Sequence, residues 1–296
     1  MRTFGYTAAK DVEHAVALLG EYGAKAKILA GGTDLLVELK AAADGPEVII
    51  DISRLEELKD IAIVDEGLHI GALVTHTDLM RSPIISDMFP ALADAAHSIG
   101  AVQTRNLGTL GGNLITCVPS MDSGPTLMAL DAQVICASSR GQKQMPLVDL
   151  FAGPRKTSLA PDEMLRAIII PKENLAKPVA FQKFGLRKGQ ALALVNAAAA
   201  FWADRDKNRF VQPRIALGAV APTVIRASRA EKFLEGKTIS AEAMAEAGRI
   251  AATEAKPISD FRASAGYRRD LIAVLTKRAL EKAYALANNK VRETIS

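Results

Sequence analysis

Cysteine is scarce in this chain of 296 residues, which carries only Cys117 and Cys136. They form no Cys-x-x-Cys pair, and no histidine–cysteine cluster has metal-ligand spacing. The sequence therefore offers neither a disulfide framework nor a metal or iron–sulfur site of its own. A reduced, cytoplasmic setting is expected. Aromatic residues make up 5%, and no lysine–arginine block stands out within a net charge of +4. Both features argue against nucleic acid as a partner. No transmembrane segment is expected, since no apolar run is long enough to span a bilayer and residues 197–203 are apolar but few. The amino terminus, Met-Arg-Thr-Phe-Gly-Tyr, lacks the apolar centre of a signal peptide. What the chain does have is enough length for two domains and 49% hydrophobic residues to bury a core.

Two stretches pair glycines with small polar residues: Ala30-Gly-Gly-Thr-Asp-Leu-Leu36 and Arg105-Asn-Leu-Gly-Thr-Leu-Gly-Gly-Asn-Leu114. Paired glycines let the backbone bend sharply and bring its N–H groups close to an anion. The first pair follows a short apolar strand at 27–30 and precedes a helix carrying Leu35, Leu36 and Leu39, with Thr33 or Asp34 as its cap. That is where free N–H groups favour an anion. The second pair is read as a loop of the same kind, so that two bends hold the two ends of one diphosphate. In isolation either could be a turn that needs glycine for geometry alone.

The rest of the chain reads as α+β. Residues 11–22 have helical spacing, and 48–52 form a parallel strand. Asp65-Glu66-Gly67 marks a hairpin between 61–64 and 68–73, and Thr75 caps a short helix. Helices follow at 92–99 and 125–130, then strands at 132–137, 144–148 and 165–170. The polar stretch 171–178 is bracketed by prolines and reads as a domain linker. Beyond it come strands at 181–186, 191–203 and 213–220, then helices at 228–234, 241–256 and 267–288.

The two glycine stretches, together with Asp260-Phe-Arg-Ala-Ser-Ala-Gly-Tyr-Arg-Arg-Asp270, resemble the FAD-binding subunit of the molybdenum hydroxylases. That family includes the medium subunits of carbon monoxide dehydrogenase, nicotinate dehydrogenase and 4-hydroxybenzoyl-CoA reductase, and the central domain of xanthine dehydrogenase. The likeness covers nearly the whole chain. It implies a fold of the vanillyl-alcohol-oxidase type: an FAD-binding domain over 1–175, made of α+β subdomains at about 1–55 and 56–175. A C-terminal α+β domain over 176–296 would have a three-stranded antiparallel sheet and helices. It also implies non-covalent FAD and two partners, a large molybdopterin subunit and a small subunit with [2Fe-2S] clusters, in a heterotrimer or a dimer of heterotrimers. Electrons would pass from the clusters to the flavin and on to an external acceptor. The 4-hydroxybenzoyl-CoA branch carries a cysteine-rich insertion after the second glycine pair, and only Cys117 lies between Asn113 and Asp131 here, which argues against that branch.

Carried over residue by residue, the resemblance assigns FAD contact to Lys27, Ile28, Leu29, Ala30, Gly31, Gly32, Thr33 and Asp34, and to Thr109, Leu110, Gly111, Gly112 and Asn113. It adds Asp122 near the ribityl or ribose hydroxyls, Ile99 and Leu165 near the rings, and Lys183 near the flavin. Each has a plainer alternative: Asp122 as a helix cap, Ile99 and Leu165 as core, Lys183 as a solvated strand lysine. Arg105 either pairs with a partner's acid or braces the loop. His14, His69 and His76 have no motif around them, His97 is read as structural, and Tyr267-Arg268-Arg269 is read as structural or partner-facing. No side chain is required as acid, base or nucleophile, because the flavin would carry the chemistry. Two further readings stay open on the residues: a stand-alone flavin oxidoreductase of the same fold, and a subunit that has lost FAD.

Overall fold

The computed structural model describes residues 3–42, 44–204 and 206–295, with side chains up to 288. The chain lays down three main sheets in succession. The first is parallel, with β1 (Gly5–Ala8), β2 (Ala26–Leu29) and β3 (Val48–Asp51) in the order β1-β3-β2. β3 is central and buried along its whole length, as the apolar run 48–50 predicts, and its buried last residue, Asp51, accepts from the Tyr6 hydroxyl at 2.6 Å. Helix α1 (Val12–Tyr22) crosses from β1 to β2 and buries Val12, Ala15, Val16 and Leu19, while Asp11 caps it by accepting from His14 N at 2.7 Å. Helix α2 (Leu35–Ala41) leads from β2 toward β3. Asp34 occupies its N-cap position, but neither Asp34 nor Thr33 caps it with a side chain.

The second sheet is antiparallel. It contains β4 (Ile61–Val64), β5 (Gly67–Gly71), β6 (Gln133–Ser138) and β7 (Gly141–Pro146); the small hairpin of β8 (Phe151–Gly153) and β9 (Lys156–Thr157) precedes its central strand, β10 (Met164–Pro171). The order is β4-β5-β10-β6-β7. Helices α3 (His76–Arg81), α4 (Pro83–Met88), α5 (Pro90–His97), α6 (Val102–Leu107), α7 (Leu110–Thr116), α8 (Ser123–Ala129) and α9 (Leu147–Leu150) connect its strands. Thr75 starts α3 with a full capping box, exchanging bonds with Asp78. The structure departs from expectation at α6 and α7. The second glycine pair lies inside the first turn of a helix, not in a loop, because Thr109 caps α7 by accepting from Gly112 N at 3.0 Å.

The third sheet runs β11 (Val179–Gly185), β12 (Ala193–Asp204), β13 (Arg209–Gly218) and β14 (Ile225–Arg226), all antiparallel. The three expected strands are there, and two residues of β14 add a fourth beside Ala216 and Leu217. Helices α10 (Ser228–Leu234), α11 (Ala241–Glu254) and α12 (Ala265–Ile295) cover one face. The alanine run of β12 is buried on both faces: Ala197, Ala199 and Phe201 pack among these helices, and Ala198 and Ala200 join the core built around β10, α5 and α8. Stretch 171–178 is docked, not extended in solvent. Asn174 donates to Leu130 O at 3.0 Å and accepts from the fully buried Lys177 at 3.1 Å. No described helix is long and apolar enough to cross a membrane.

Candidate functional site

The two glycine segments meet. A Cβ on Gly31 would lie 1.8 Å from the carbonyl oxygen of Leu107 and 3.1 Å from the nitrogen of Gly108, so only glycine permits this approach. Gly32 follows with φ +71°, the left-handed conformation glycine tolerates best, and Leu29 and Leu36 close around it. From the other side, Thr109 forms an antiparallel bridge with Thr75, Leu110 N donates to Val74 O at 2.8 Å and His76 N donates to Gly108 O at 3.1 Å. Arg105 braces the approach by donating to the carbonyls of His97 and Ile99 at 3.1 and 2.9 Å.

A groove of about 750 Å³ runs between the β2–α2 edge of the first sheet and a wall formed by α7 and the β8–β9 hairpin, and both segments line it. This lies within the ~300–1,000 Å³ typical of ligand sites. Of the residues the resemblance assigned to FAD, the groove gathers Lys27, Ile28, Ala30, Gly31, Gly32, Thr33, Asp34, Ile99, Thr109, Gly112 and Asn113. Among the described residues, the N–H groups of Gly31 to Asp34 have no intramolecular acceptor, leaving a run of donors for a ligand anion. The groove is also lined by Thr104, immediately before Arg105 at the start of the second glycine stretch, and by residues that carry no motif: His76, Glu38, Arg155 and Glu163. The capping-box spacing that starts α3 was the only signal for His76, since it puts that residue at the first helical position. His76 is 2% exposed, its Nδ1 has no partner among the described residues, and burial beside Arg105 pushes its pKa down to about 4. Glu163 is raised by burial, but bonds from Lys143 and Ala160 N outweigh this and hold it below the usual range.

The other assigned residues lie off the groove. Leu110 and Leu165 are core, and Leu29 packs against Gly32. Gly111 serves packing: its N–H is taken by Ala72 O at 3.0 Å, and a Cβ there would stand 2.6 Å from that oxygen. Asp122 and Lys183 pair with each other at 2.5 Å in a nearly dry site. Lys183 also donates to Ser98 O at 2.9 Å, and Asp122 accepts from Asn196 at 2.8 Å. Asp122 therefore neither caps α8 with its carboxylate nor faces the groove, and Lys183 is not solvated. Burial raises the Asp122 pKa and Lys183 opposes the rise. The network reaches the groove through Ser123, which donates to Asn113 at 2.6 Å.

The donor run, the glycine contact and the groove fit a dinucleotide, and comparison with known proteins agrees. Residues 2–173 match the model of the FAD binding domain in molybdopterin dehydrogenase, and 180–283 match the CO dehydrogenase flavoprotein C-terminal domain. The chain belongs to the FAD-binding subunits of the molybdenum hydroxylase family. It is 34% identical to a putative xanthine dehydrogenase FAD-binding subunit of Escherichia coli over 97% of this chain and 98% of that one. Identity to the carbon monoxide dehydrogenase medium chain of Hydrogenophaga pseudoflava is also 34%, over 95% and 97%. A solved structure of carbon monoxide dehydrogenase from that organism, lacking the Mo-pyranopterin moiety of the molybdenum cofactor, superposes with a TM-score of 0.90 at 35% identity, covering 96% of this chain and 98% of that one. The flavin subunit is thus an oxidoreductase component with FAD as its cofactor.

Proposed function

We propose that this flavin subunit holds FAD non-covalently and transfers electrons within a molybdenum hydroxylase complex. It takes them from a small [2Fe-2S] subunit, which receives them from a large molybdopterin subunit, and delivers them to an external acceptor. The observation that supports this most is the contact of Gly31 with Leu107–Gly108, which sets two glycine segments on one groove. The unbonded N–H groups of Gly31 to Asp34 meet the diphosphate, while Thr109, Gly112 and Asn113 face it from α7. Lys27, Ile28 and Ala30 line the strand side, and Ile99 stands at the ring end. Leu29, Leu110, Gly111, Leu165, Asp122 and Lys183 act at one remove by holding these residues in place. Bound FAD supplies the redox chemistry, exchanging single electrons with clusters and pairs with the acceptor. The flavin-binding part runs through residue 175 with its internal division near 55, and the remainder, 176–296, forms the covering domain. A heterotrimer, alone or paired, in the cytoplasm is the assembly this implies.

The test is an absorption spectrum of the purified chain, followed by acid precipitation. Flavin bands that leave with the supernatant support non-covalent FAD; a colourless chain that takes up no added FAD refutes the reading. Co-purification with molybdopterin and [2Fe-2S] subunits tests the assembly.

A further inference from the structure

Arg155 and Glu38 form an ion pair across the groove although 117 residues separate them. Both line it, Glu38 from α2 on one wall and Arg155 from the β8–β9 turn on the other. The pair is open to water, with side-chain exposures of 59% and 49%. Such a pair contributes little to folding, so stability alone gives slight reason for bridging the groove there. The backbone at Arg155 is nevertheless held firmly. It sits at φ +56°, a conformation uncommon outside glycine, with its N–H on Cys117 O at 2.9 Å. Cys117 ends α7, and its Sγ donates to Gly153 O at 3.2 Å, so the turn is pinned at two points to the helix whose first turn carries Thr109 and Gly112. Glu38 lies one helical turn beyond Asp34, on the same side of α2.

Charge on the groove shows what this arrangement is for. Asp34, Glu38 and Glu163 are acidic, and Lys27 and Arg155 are the cations on its lining among the described residues. Glu163 is already neutralised by Lys143 at 2.6 Å. A diphosphate entering between the glycine segments brings two negative charges beside Asp34 and Glu38, and its strongest available partner is a guanidinium able to donate two parallel bonds. Resting on the reading of the groove as the FAD site, we propose that Arg155 is a diphosphate-binding residue of this chain and that Glu38 competes with the diphosphate for it. Arg155 thereby strengthens FAD binding, and Glu38 sets that affinity lower than the groove could reach.

The two roles have opposite signs, which makes them testable. FAD is titrated into the full chain and its variants, with flavin fluorescence as the readout and ADP as competitor; melting temperatures verify folding. R155Q is expected to weaken both FAD and ADP about tenfold, the loss of one charge-assisted phosphate contact. E38Q is expected to tighten both severalfold, and to have no effect in the R155Q background. R155K, which keeps the charge and loses the fork, should fall between, and it serves if R155Q does not fold. An E38Q variant that binds FAD more weakly, as a simple latch would, overturns the proposal, as does an R155Q variant within twofold of the unaltered chain. Failure of the unaltered chain to take up FAD at all would instead remove the reading of the groove itself, and this proposal with it.

Discussion

Gly31 of the first pair and Gly112 of the second both line the groove, but they do different jobs, and substitution should separate them. Gly31→Ala forces a Cβ into the Leu107 backbone, which cannot move without opening the groove. It is expected to cost about 3 kcal/mol or more and to abolish FAD uptake. Gly112→Ala meets only the Thr109 hydroxyl, at 2.9 Å, and a side chain can turn aside. Its cost should stay near that of the disturbed cap, about 1 kcal/mol. Urea midpoints read both; equal losses would contradict the geometry. His76 gives a pH signature. Because burial holds it neutral, its contribution is complete above the unfolded value of about 6.5 and disappears as pH falls toward 4. That group alone should remove about 3 kcal/mol over the window, and His69, lowered for the same reason, adds to it. His76→Gln should flatten the dependence; an unchanged slope would mean that His76 is not what titrates. In the sequence, the capping box at Thr75 marks only the helical position of His76, and nothing marks Arg155. Their importance comes from what faces them across the groove, whereas Gly31 and Gly32 announced a bend by their chemistry alone.

The elements around the site explain why one glycine segment was legible in form and the other was not. Gly31-Gly32 sits between a strand and a helix, where glycine marks a turn, and a turn is what forms. Gly111 and Gly112 also look like a turn, because glycine is a poor helix former. Here tertiary contact overrides that preference: Thr109 caps α7, and Gly111 lets the helix lie directly on Ala72. The same kind of context places Asp122 and Lys183. Facing strands bring Lys183 of β11 and Asn196 of β12 into register, and both reach Asp122 at the start of α8. The side chains of the pair are only 11% and 7% exposed, so each depends on the other to offset lost hydration. Lys183→Met is therefore expected to cost about 3–5 kcal/mol, since it strands a buried carboxylate. Adding Asp122→Asn should restore part of that loss. A double-mutant cycle in urea measures the coupling, and simple additivity would show that the two charges do not depend on each other.

At the scale of the molecule, the division between the flavin-binding part and the C-terminal domain is a boundary in sequence more than in the core. The stretch 171–178, read from its composition as a domain linker, lies between the two matched domains, and what docks it comes from residues far away along the chain. Val179 and Phe181 of β11, with Ala198, Ala200, Ala216 and Val224, share one buried cluster with Leu127, Leu130, Ile168 and Ile170. Next to Leu130 in sequence, Asp131 accepts from Arg214 at 2.9 Å and Arg226 at 2.7 Å, and Asn174 donates to Leu130 O while accepting from Lys177 at 3.1 Å. Separating the two parts would expose the inner face of β11–β13 and strand these charges, so neither part has a stable surface without the other. The chain should then unfold in a single calorimetric transition, with calorimetric and van't Hoff enthalpies in agreement despite its length. Arg226→Met, which removes one ion pair to Asp131 and one to Glu231, should lower that transition as a whole and leave it single. Two resolved transitions, or a variant that shifts only part of the heat, would mean that the shared cluster does not couple the parts and that the C-terminal sheet folds on its own.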